Sequence, residues 1–293
     1  MARASRILIC LFVTQSIFWH SNTHAVGQTG AQFLKIGVGA KACGMGEAFV
    51  AVADDASSVY WNPAGITSAG SVEIMATHNA WLLDMTGQYV AAVVPYRWAS
   101  FGGAITYSSS GDIPKYEDFE YLGEYSAWDF AGTVALARRF SSNISIGVGL
   151  KLIQQKIEEE EATTFAADIG FLYETAFAKD LRMGLAVQNL GSGVKFIEKR
   201  DALPLNVKGG LAYSWGSLTL AGDLNKPRDN DLRLNTGAEL VVKEVIALRG
   251  GYDTENSYTA GVGVVLGKIN VDYAVAPYED IDESHRISVR LRL

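Results

Sequence analysis

Large apolar residues and small or polar residues alternate along most of the chain after residue 70. The last segment has aliphatic residues at 287, 289, 291 and 293 and polar residues at 286, 288, 290 and 292. In segment 144–152 the even positions are isoleucine, valine or leucine, and the odd positions are serine, glycine or lysine. Because successive side chains of a strand point to opposite faces, this alternation predicts strands with one apolar face.

The pattern predicts fourteen strands, most of them about ten residues long, which is the length that a tilted membrane strand needs. They are 71–79, 88–97, 99–109, 125–140, 143–156, 163–175, 180–190, 204–215, 217–225, 231–243, 245–253, 257–266, 268–277 and 284–293.

The links between these strands alternate in length. Links such as 141–143 and 243–244 are short turns, whereas 80–87, 110–124 and 191–203 are longer loops. Short periplasmic turns and longer external loops are typical of bacterial outer-membrane barrels. A soluble sandwich also alternates, but lipid requires a closed sheet without free edges. We therefore predict an all-β fold, a transmembrane antiparallel β-barrel of about 14 strands in the cell outer membrane, surrounded by its lipids.

The first residues indicate export. Arg3 and Arg6 precede an apolar run at 7–19, and a small-residue cleavage site ends at Ala25. The run is too short to span a bilayer, so residues 1–25 are predicted to be a signal peptide. The predicted organisation is completed by an N-terminal segment at 26–70 and a barrel at 71–293. No later apolar run reaches 18 residues, which excludes an inner-membrane helical protein.

Composition excludes several functions. The net charge is −7 and the sequence has no basic stripe, so no nucleic acid is expected as a partner. Removal of the signal peptide leaves Cys43, His78 and His285 as the only cysteine and histidines. These residues offer little for a metal site, and no serine motif surrounds either histidine. We expect no cofactor, no metal and no enzymatic activity.

The polar face of the predicted strands would line the interior of the barrel. Its charged residues are predicted to pair across strands. They are Asp168, Arg182, Asp223, Arg233, Glu239, Arg249, Asp272, Arg286, Arg290 and Arg292. Much of the remaining inner face is glycine, alanine or serine, and such side chains cannot fill a barrel of fourteen strands. Water, a ligand or another part of the chain must occupy the interior.

Residues 26–70 lack the alternation of membrane strands. Segment 46–52 is predicted to be a short helix or strand, and residues 54–57 are expected to cap a following short helix that ends at Asn62-Pro63. The glycines at 37–46 do not have the spacing of a phosphate-binding loop.

The run GAKACGMGEAFVAVADDASSVYWNPAGI at 39–66 resembles the N-terminal signature of PorV/PorQ-type outer-membrane proteins, which belong with the long-chain fatty-acid transporter-like (FadL-like) barrels. The resemblance implies that this segment folds inside the barrel and plugs the lumen. The residues of the motif would hold the plug by hydrogen bonds and turns. Cys43 and Glu47 depart from the family pattern, because apolar or small residues would be expected at these positions. The implied plug residues are Gly44, Gly46, Asp54, Asp55, Asn62, Pro63 and Gly65.

Two functions follow from the resemblance. A PorV/PorQ-type barrel implies protein export of the type IX secretion kind, with secretion-system components or exported proteins as partners. A FadL-like barrel implies an uptake channel for long-chain fatty acids or other hydrophobic small molecules. The acidic external loops at 117–120, 158–161 and 279–283 are expected to be solvated.

Overall fold

The computed structural model describes residues 28–82, 85–176, 178, 180–254, 257–278 and 282–293, and within them fourteen antiparallel strands close into one barrel. The predicted all-β class and the strand number are confirmed. The predicted signal peptide and most of the acidic loop 279–283 lie outside the described residues. No helix among the described residues has the length and apolar character needed to cross a bilayer.

The strand bounds follow the predicted alternation closely. The strands are β1 (Glu73–Ala80), β2 (Thr86–Pro95), β3 (Ser100–Glu117), β4 (Glu120–Arg139), β5 (Ile144–Ile157), β6 (Glu160–Glu174), β7 (Leu181–Gly191), β8 (Val194–Lys195), β9 (Arg200–Asp201), β10 (Asn206–Trp215), β11 (Leu218–Pro227), β12 (Arg233–Val242), β13 (Ile246–Asp253), β14 (Ser257–Leu266), β15 (Ile269–Tyr278) and β16 (Asp282–Arg292).

Closure brings the first and last strands together. β1 pairs with β16 along its whole length, from Glu73 opposite Arg292 to Ala80 opposite His285. Each other barrel strand pairs with its neighbours in sequence, except that β7 pairs with β10. The short strands β8 and β9 form a separate two-stranded ribbon beside the wall.

The two faces of the wall differ as the alternation predicts. Along β4 and β5, Val134 and Leu150 are 64% and 62% exposed, whereas the adjacent Ala135 and Lys151 are buried. Aromatic residues mark both rims: exposed Trp98 and Trp215 lie at the end with short turns, and Tyr252 contacts Tyr258 at the other. An aliphatic band between aromatic girdles is the outer surface of a membrane barrel.

Two predicted external loops are mostly strand. The loop predicted at 110–124 is wrong, because β3 and β4 continue as a hairpin that turns at Asp118 and Phe119, both with positive φ. A register shift between Ser109 and Asp112 carries the strand pairing into this stretch. The loop predicted at 157–162 shrinks to a turn between Ile157 and Glu160.

Depth in the membrane should set the cost of a charge on the outer face. Val134→Arg near mid-membrane should lower the free energy of unfolding by about 2–4 kcal/mol. Val242→Arg at the rim should lower it by at most about 1 kcal/mol. Urea unfolding in lipid vesicles measures both free energies. Equal costs for the two variants would contradict the assignment of this face to lipid.

Candidate functional site

Residues 28–70, called the interior segment below, lie against the inner face of the barrel. The segment contains a 3₁₀ turn at Gln32–Lys35, helices at Ala40–Gly44 and Ser58–Trp61, and a second 3₁₀ turn at Pro63–Ser68. The helix or strand expected at 46–52 is wrong, since this stretch consists of turns and residues without regular secondary structure. Most side chains of the interior segment are buried, including Phe49, Val50 and Trp61 at 0% exposure.

Inward-facing glycines let the interior segment approach the wall at backbone distance. A Cβ atom built on Gly251 would lie 2.6 Å from the Cα of Gly46, and one on Gly237 would lie 2.8 Å from the carbonyl carbon of Met45. Side chains at these positions would push the segment away. The glycines with such contacts are Gly147, Gly170, Gly184, Gly237, Gly251 and Gly261, on six different strands.

Gly44 and Gly46 of the predicted plug motif make the complementary contacts. A Cβ on Gly44 would lie 3.0 Å from the Cα of Gly261. Gly46 has a φ of 61°, and its Cβ would lie 2.7 Å from the carbonyl oxygen of Thr236. Glycine is needed here both for the left-handed backbone and for the space.

Polar side chains of the wall satisfy the backbone of the interior segment. The Asp223 carboxylate accepts hydrogen bonds from the N–H groups of Phe49 and Val50 at 2.7 and 2.8 Å. Asn235 Nδ2 donates to the carbonyl of Gly46 at 2.7 Å, and Thr259 Oγ1 accepts from its N–H at 3.0 Å. Buried backbone groups without partners are costly, so these contacts hold an irregular chain that has no ladder of its own.

A buried ion network joins the segment to the strands. Lys41 Nζ lies 2.8 Å from Asp54 and 3.5 Å from Glu239. Glu239 in turn pairs with Arg249 at 2.6 Å, and Arg249 pairs with Asp272 at 2.7 Å. Burial lowers the pKa of Lys41, but the charges of Asp54 and Glu239 outweigh it and raise the pKa above its ordinary value. The ammonium therefore stays charged inside the barrel.

A second group surrounds Asp55. Its carboxylate accepts hydrogen bonds from the N–H of Ser57 at 2.9 Å and from the Ser57 hydroxyl at 2.5 Å. These contacts form a turn before the helix at Ser58–Trp61, and the predicted cap is wrong in that the N-cap Ser57 makes no side-chain capping hydrogen bond. Arg290 lies 3.8 Å from both Asp55 and Glu73. Glu73 also accepts from the N–H of Ala56 at 2.6 Å. Arg290, one of the predicted lumen charges, therefore lies between the interior segment and the neighbouring strand β1.

The Asn62-Pro63 pair fixes the next turn. Asn62 Nδ2 donates to the carbonyls of Val50 and Phe171, and its Oδ1 accepts from the N–H of Ala64. Pro63 begins the 3₁₀ turn, where a missing N–H costs nothing. A Cβ at Gly65 would lie 2.7 Å from the Cβ of Ala53, so a larger residue does not fit.

The remaining predicted charges also point inward. Asp168 pairs with Lys151 at 2.7 Å, where a register shift interrupts the β6–β7 pairing. Arg182 donates to the carbonyl of Val52, and Arg286 pairs with Glu47 at 3.2 Å, which explains the unexpected acid at 47. Arg292 lies 3.3 Å from Glu73 at the rim. Arg233 lines a cavity together with Glu47.

The outer end of the segment is held by a residue that the sequence did not mark. Asp229, between β11 and β12, lies 2.7 Å from Lys35 Nζ and accepts a hydrogen bond from the hydroxyl of Thr29 at 2.7 Å. The N–H of Gly30 donates to the carbonyl of Ala202 beyond the β8–β9 ribbon. The interior segment therefore extends from the external end of the barrel to the end with short turns.

The described polar groups of the interior mainly hold the interior segment in place. In the described part of the chain no three histidine, cysteine, aspartate or glutamate residues are grouped to hold a metal ion. Cys43 is buried, and this burial raises the pKa of its thiol. His78 contacts Gln88, and His285 contacts Tyr273, both on the outer face.

Adding one methyl group at Gly251 should displace the interior segment. Gly251→Ala is expected to destabilise the protein by about 1–3 kcal/mol, because its Cβ would overlap Gly46. Gly250→Ala is the matched control, since no atom lies within 4 Å of its Cβ. Urea unfolding compares them, and equal stabilities would contradict the packing.

Acid should release the outer end of the segment. Burial raises the pKa of Asp229, but hydrogen bonds from Lys35 and Thr29 outweigh it and hold the pKa below its ordinary value of 3.8. The ionised carboxylate is the bonded form, so its contribution is complete above pH 3.8 and disappears as the pH falls through the lowered value. Hydrogen exchange at residues 29–36 should lose protection there. Asp229→Asn should show that loss of protection at neutral pH. Unchanged protection in this variant would refute the role of Asp229 in holding the outer end of the segment.

Comparison with known proteins adds the family. Residues 20–216 match the family model described as type IX secretion system protein PorV. A search of curated proteins finds no match.

Solved structures share the fold. The Ralstonia pickettii toluene transporter TbuX is 12% identical, with a TM-score of 0.64 over 88% of this chain and 98% of that chain. The Pseudomonas putida toluene transporter TodX is 11% identical, with a TM-score of 0.64 over 87% and 96%. A Pseudomonas aeruginosa FadL homologue is 11% identical, with a TM-score of 0.61 over 85% and 97%. Identities this low show the fold alone. The family model covers about two thirds of the sequence, and this chain is an outer-membrane β-barrel that belongs to the PorV family of the type IX secretion system.

Proposed function

We propose that this chain serves protein export as a closed, non-catalytic docking barrel in the outer membrane, and that its interior segment is a plug. The observation that carries the proposal is the filled interior. Backbone contacts with inward glycines and hydrogen bonds to Asp223 and Asn235 hold the segment across the barrel. With the lumen filled in this way, exported protein would not pass through the barrel. The chain would instead act through the surface that it presents outside the cell.

Among the described residues, the longest extension beyond the barrel at its external end is the hairpin at residues 110–126, called the external arm below. β2 pairs with β3 only as far as Ser109, and β5 pairs with β4 only from Ala127 onward. Both edges of the arm therefore lack a barrel neighbour. Free strand edges and exposed side chains together are a common basis for protein recognition.

The chemistry of the arm indicates the kind of partner. Phe119 at its tip is fully exposed, and Tyr116 and Tyr121 lie together below it with ring centroids 5.7 Å apart. Five carboxylates accompany one lysine, Lys115, which pairs with Glu158 of the neighbouring hairpin. Exposed aromatic anchors within an acidic surface suit a protein with a basic rim around an apolar pocket.

Secretion-system components or exported proteins are the partners that fit the family, while outer-membrane lipids contact the aliphatic band. The described site gives no support for a catalytic role, because many of its interior polar groups pair with the interior segment or with one another. The two described histidines contact Gln88 and Tyr273 and lie away from any interior nucleophile.

Uptake of a hydrophobic small molecule is the second candidate. A small gap of about 30 Å³ separates the interior segment from β1, β2 and β3 and is lined by Phe33, Val38, Tyr89 and Tyr107. Its lining is mostly apolar, and the similar solved structures include toluene transporters. Most of the remaining interior is polar and occupied, which favours the export role.

Truncating the aromatic tip tests the docking role. Phe119→Ala should weaken partner binding about thirtyfold if Phe119 is an anchor worth about 2 kcal/mol. Trp215→Ala, which truncates another exposed aromatic at the opposite rim, should leave binding unchanged.

The measurement is co-purification of exported proteins and secretion components with the full chain, together with the amount of exported protein in the medium. Heat-modifiable migration confirms that each variant is folded. Normal co-purification and secretion in the Phe119→Ala strain would refute docking through the arm. If the Phe119→Ala strain secretes normally but no longer takes up a hydrophobic substrate, the result would favour the second candidate, the uptake role.

A further inference from the structure

A groove crosses the lipid-facing wall near the end with short turns. It has a volume of about 290 Å³ and lies between the β2–β3 and β4–β5 turns. Trp98 and Phe140 form its two sides, and Leu136, Ile146 and Val148 form its floor. All five side chains are apolar and belong to the outer face.

Aromatic contacts and the strand backbone define the shape of the groove. Gly147, between Ile146 and Val148, lines it with backbone, and a Cβ on this residue would point inward, 2.6 Å from the carbonyl oxygen of Pro63. Trp98 is held upright by edge contacts with Tyr96 at 6.1 Å and Phe101 at 5.5 Å. The groove is therefore a fixed feature of two adjoining turns.

One charged side chain lines this apolar groove. The guanidinium of Arg138 lies 5.4 Å from the ring centroid of Phe140 and lines the groove with it. The neighbouring Arg139 is engaged differently, 3.4 Å from Glu174. Within the described part of the chain, no carboxylate forms an ion pair with Arg138. An unpaired cation beside an apolar groove, at the level of an aromatic girdle, is complementary to an anionic lipid.

We propose that the groove binds one glycerophospholipid of the periplasmic leaflet, with an acyl chain on its floor and the phosphate on Arg138. Short turns of bacterial barrels face the periplasm, so this rim meets the inner leaflet. A guanidinium can donate two parallel hydrogen bonds to two oxygens of one phosphate, so Arg138 can hold a lipid phosphate at the mouth of the groove. The lipid would seat the barrel at a defined depth and cover the wall behind the turn at Pro63–Ser68.

Native mass spectrometry of the full chain in mild detergent tests the site, with long-chain phosphatidylglycerol as the added probe. The wild-type chain should retain one lipid. Arg138→Gln should weaken retention about tenfold, the usual loss of a charge-assisted hydrogen bond. Arg139→Gln removes the same charge from the adjacent residue and should bind like wild type. Equal weakening in both variants would overturn the site, because it would show attraction to net charge alone.

The acyl-chain half has its own test. Val148→Trp fills the groove with an apolar side chain and should also weaken retention about tenfold, while heat-modifiable migration shows that the barrel is folded. Inorganic phosphate should not displace the lipid. Unchanged retention in Val148→Trp, displacement by phosphate, or a second protein copy in place of the lipid would each overturn the proposal.

Discussion

The structure depends on the close packing of an irregular peptide against the inner wall of a β-barrel. A barrel of fourteen strands is too wide for its own side chains to fill, and a peptide without a regular ladder brings backbone groups that need partners. Inward glycines such as Gly237 and Gly251 supply the space, and Asp223 and Asn235 supply the partners. Either feature alone would leave voids or unsatisfied polar groups.

Buried ion pairs also hold the interior segment against the wall. Lys41 is buried but remains charged, because Asp54 lies on its own segment and Glu239 lies on the wall. Removing one partner of a buried pair costs more than the pair contributes, so such a network specifies one seating of the segment. The outer face carries few charges, and there the exposed cation Arg138 lines an apolar groove.

Alternation predicted the strands well because period-two burial is a local property of the sequence. It also predicted that inward residues would be small, although it did not identify which glycines touch which turns, since those contacts join residues far apart in the chain. Gly250 and Gly251 are adjacent glycines of the same strand, yet only Gly251 faces Gly46. The anchor Asp229 was missed for the same reason, and the extension of β3 was missed because the strands were expected to be only about as long as a membrane span.

Cys43 provides the most direct test of the filled interior. It lies in the interior segment, is 1% exposed, and packs near Ala274 of β15. With Cys10 replaced or removed with the predicted signal peptide, a polar maleimide should leave the folded chain unlabelled in membranes and label it completely after unfolding. Rapid stoichiometric labelling of Cys43 in the folded barrel would contradict the account, because a segment that leaves the interior open would expose this thiol.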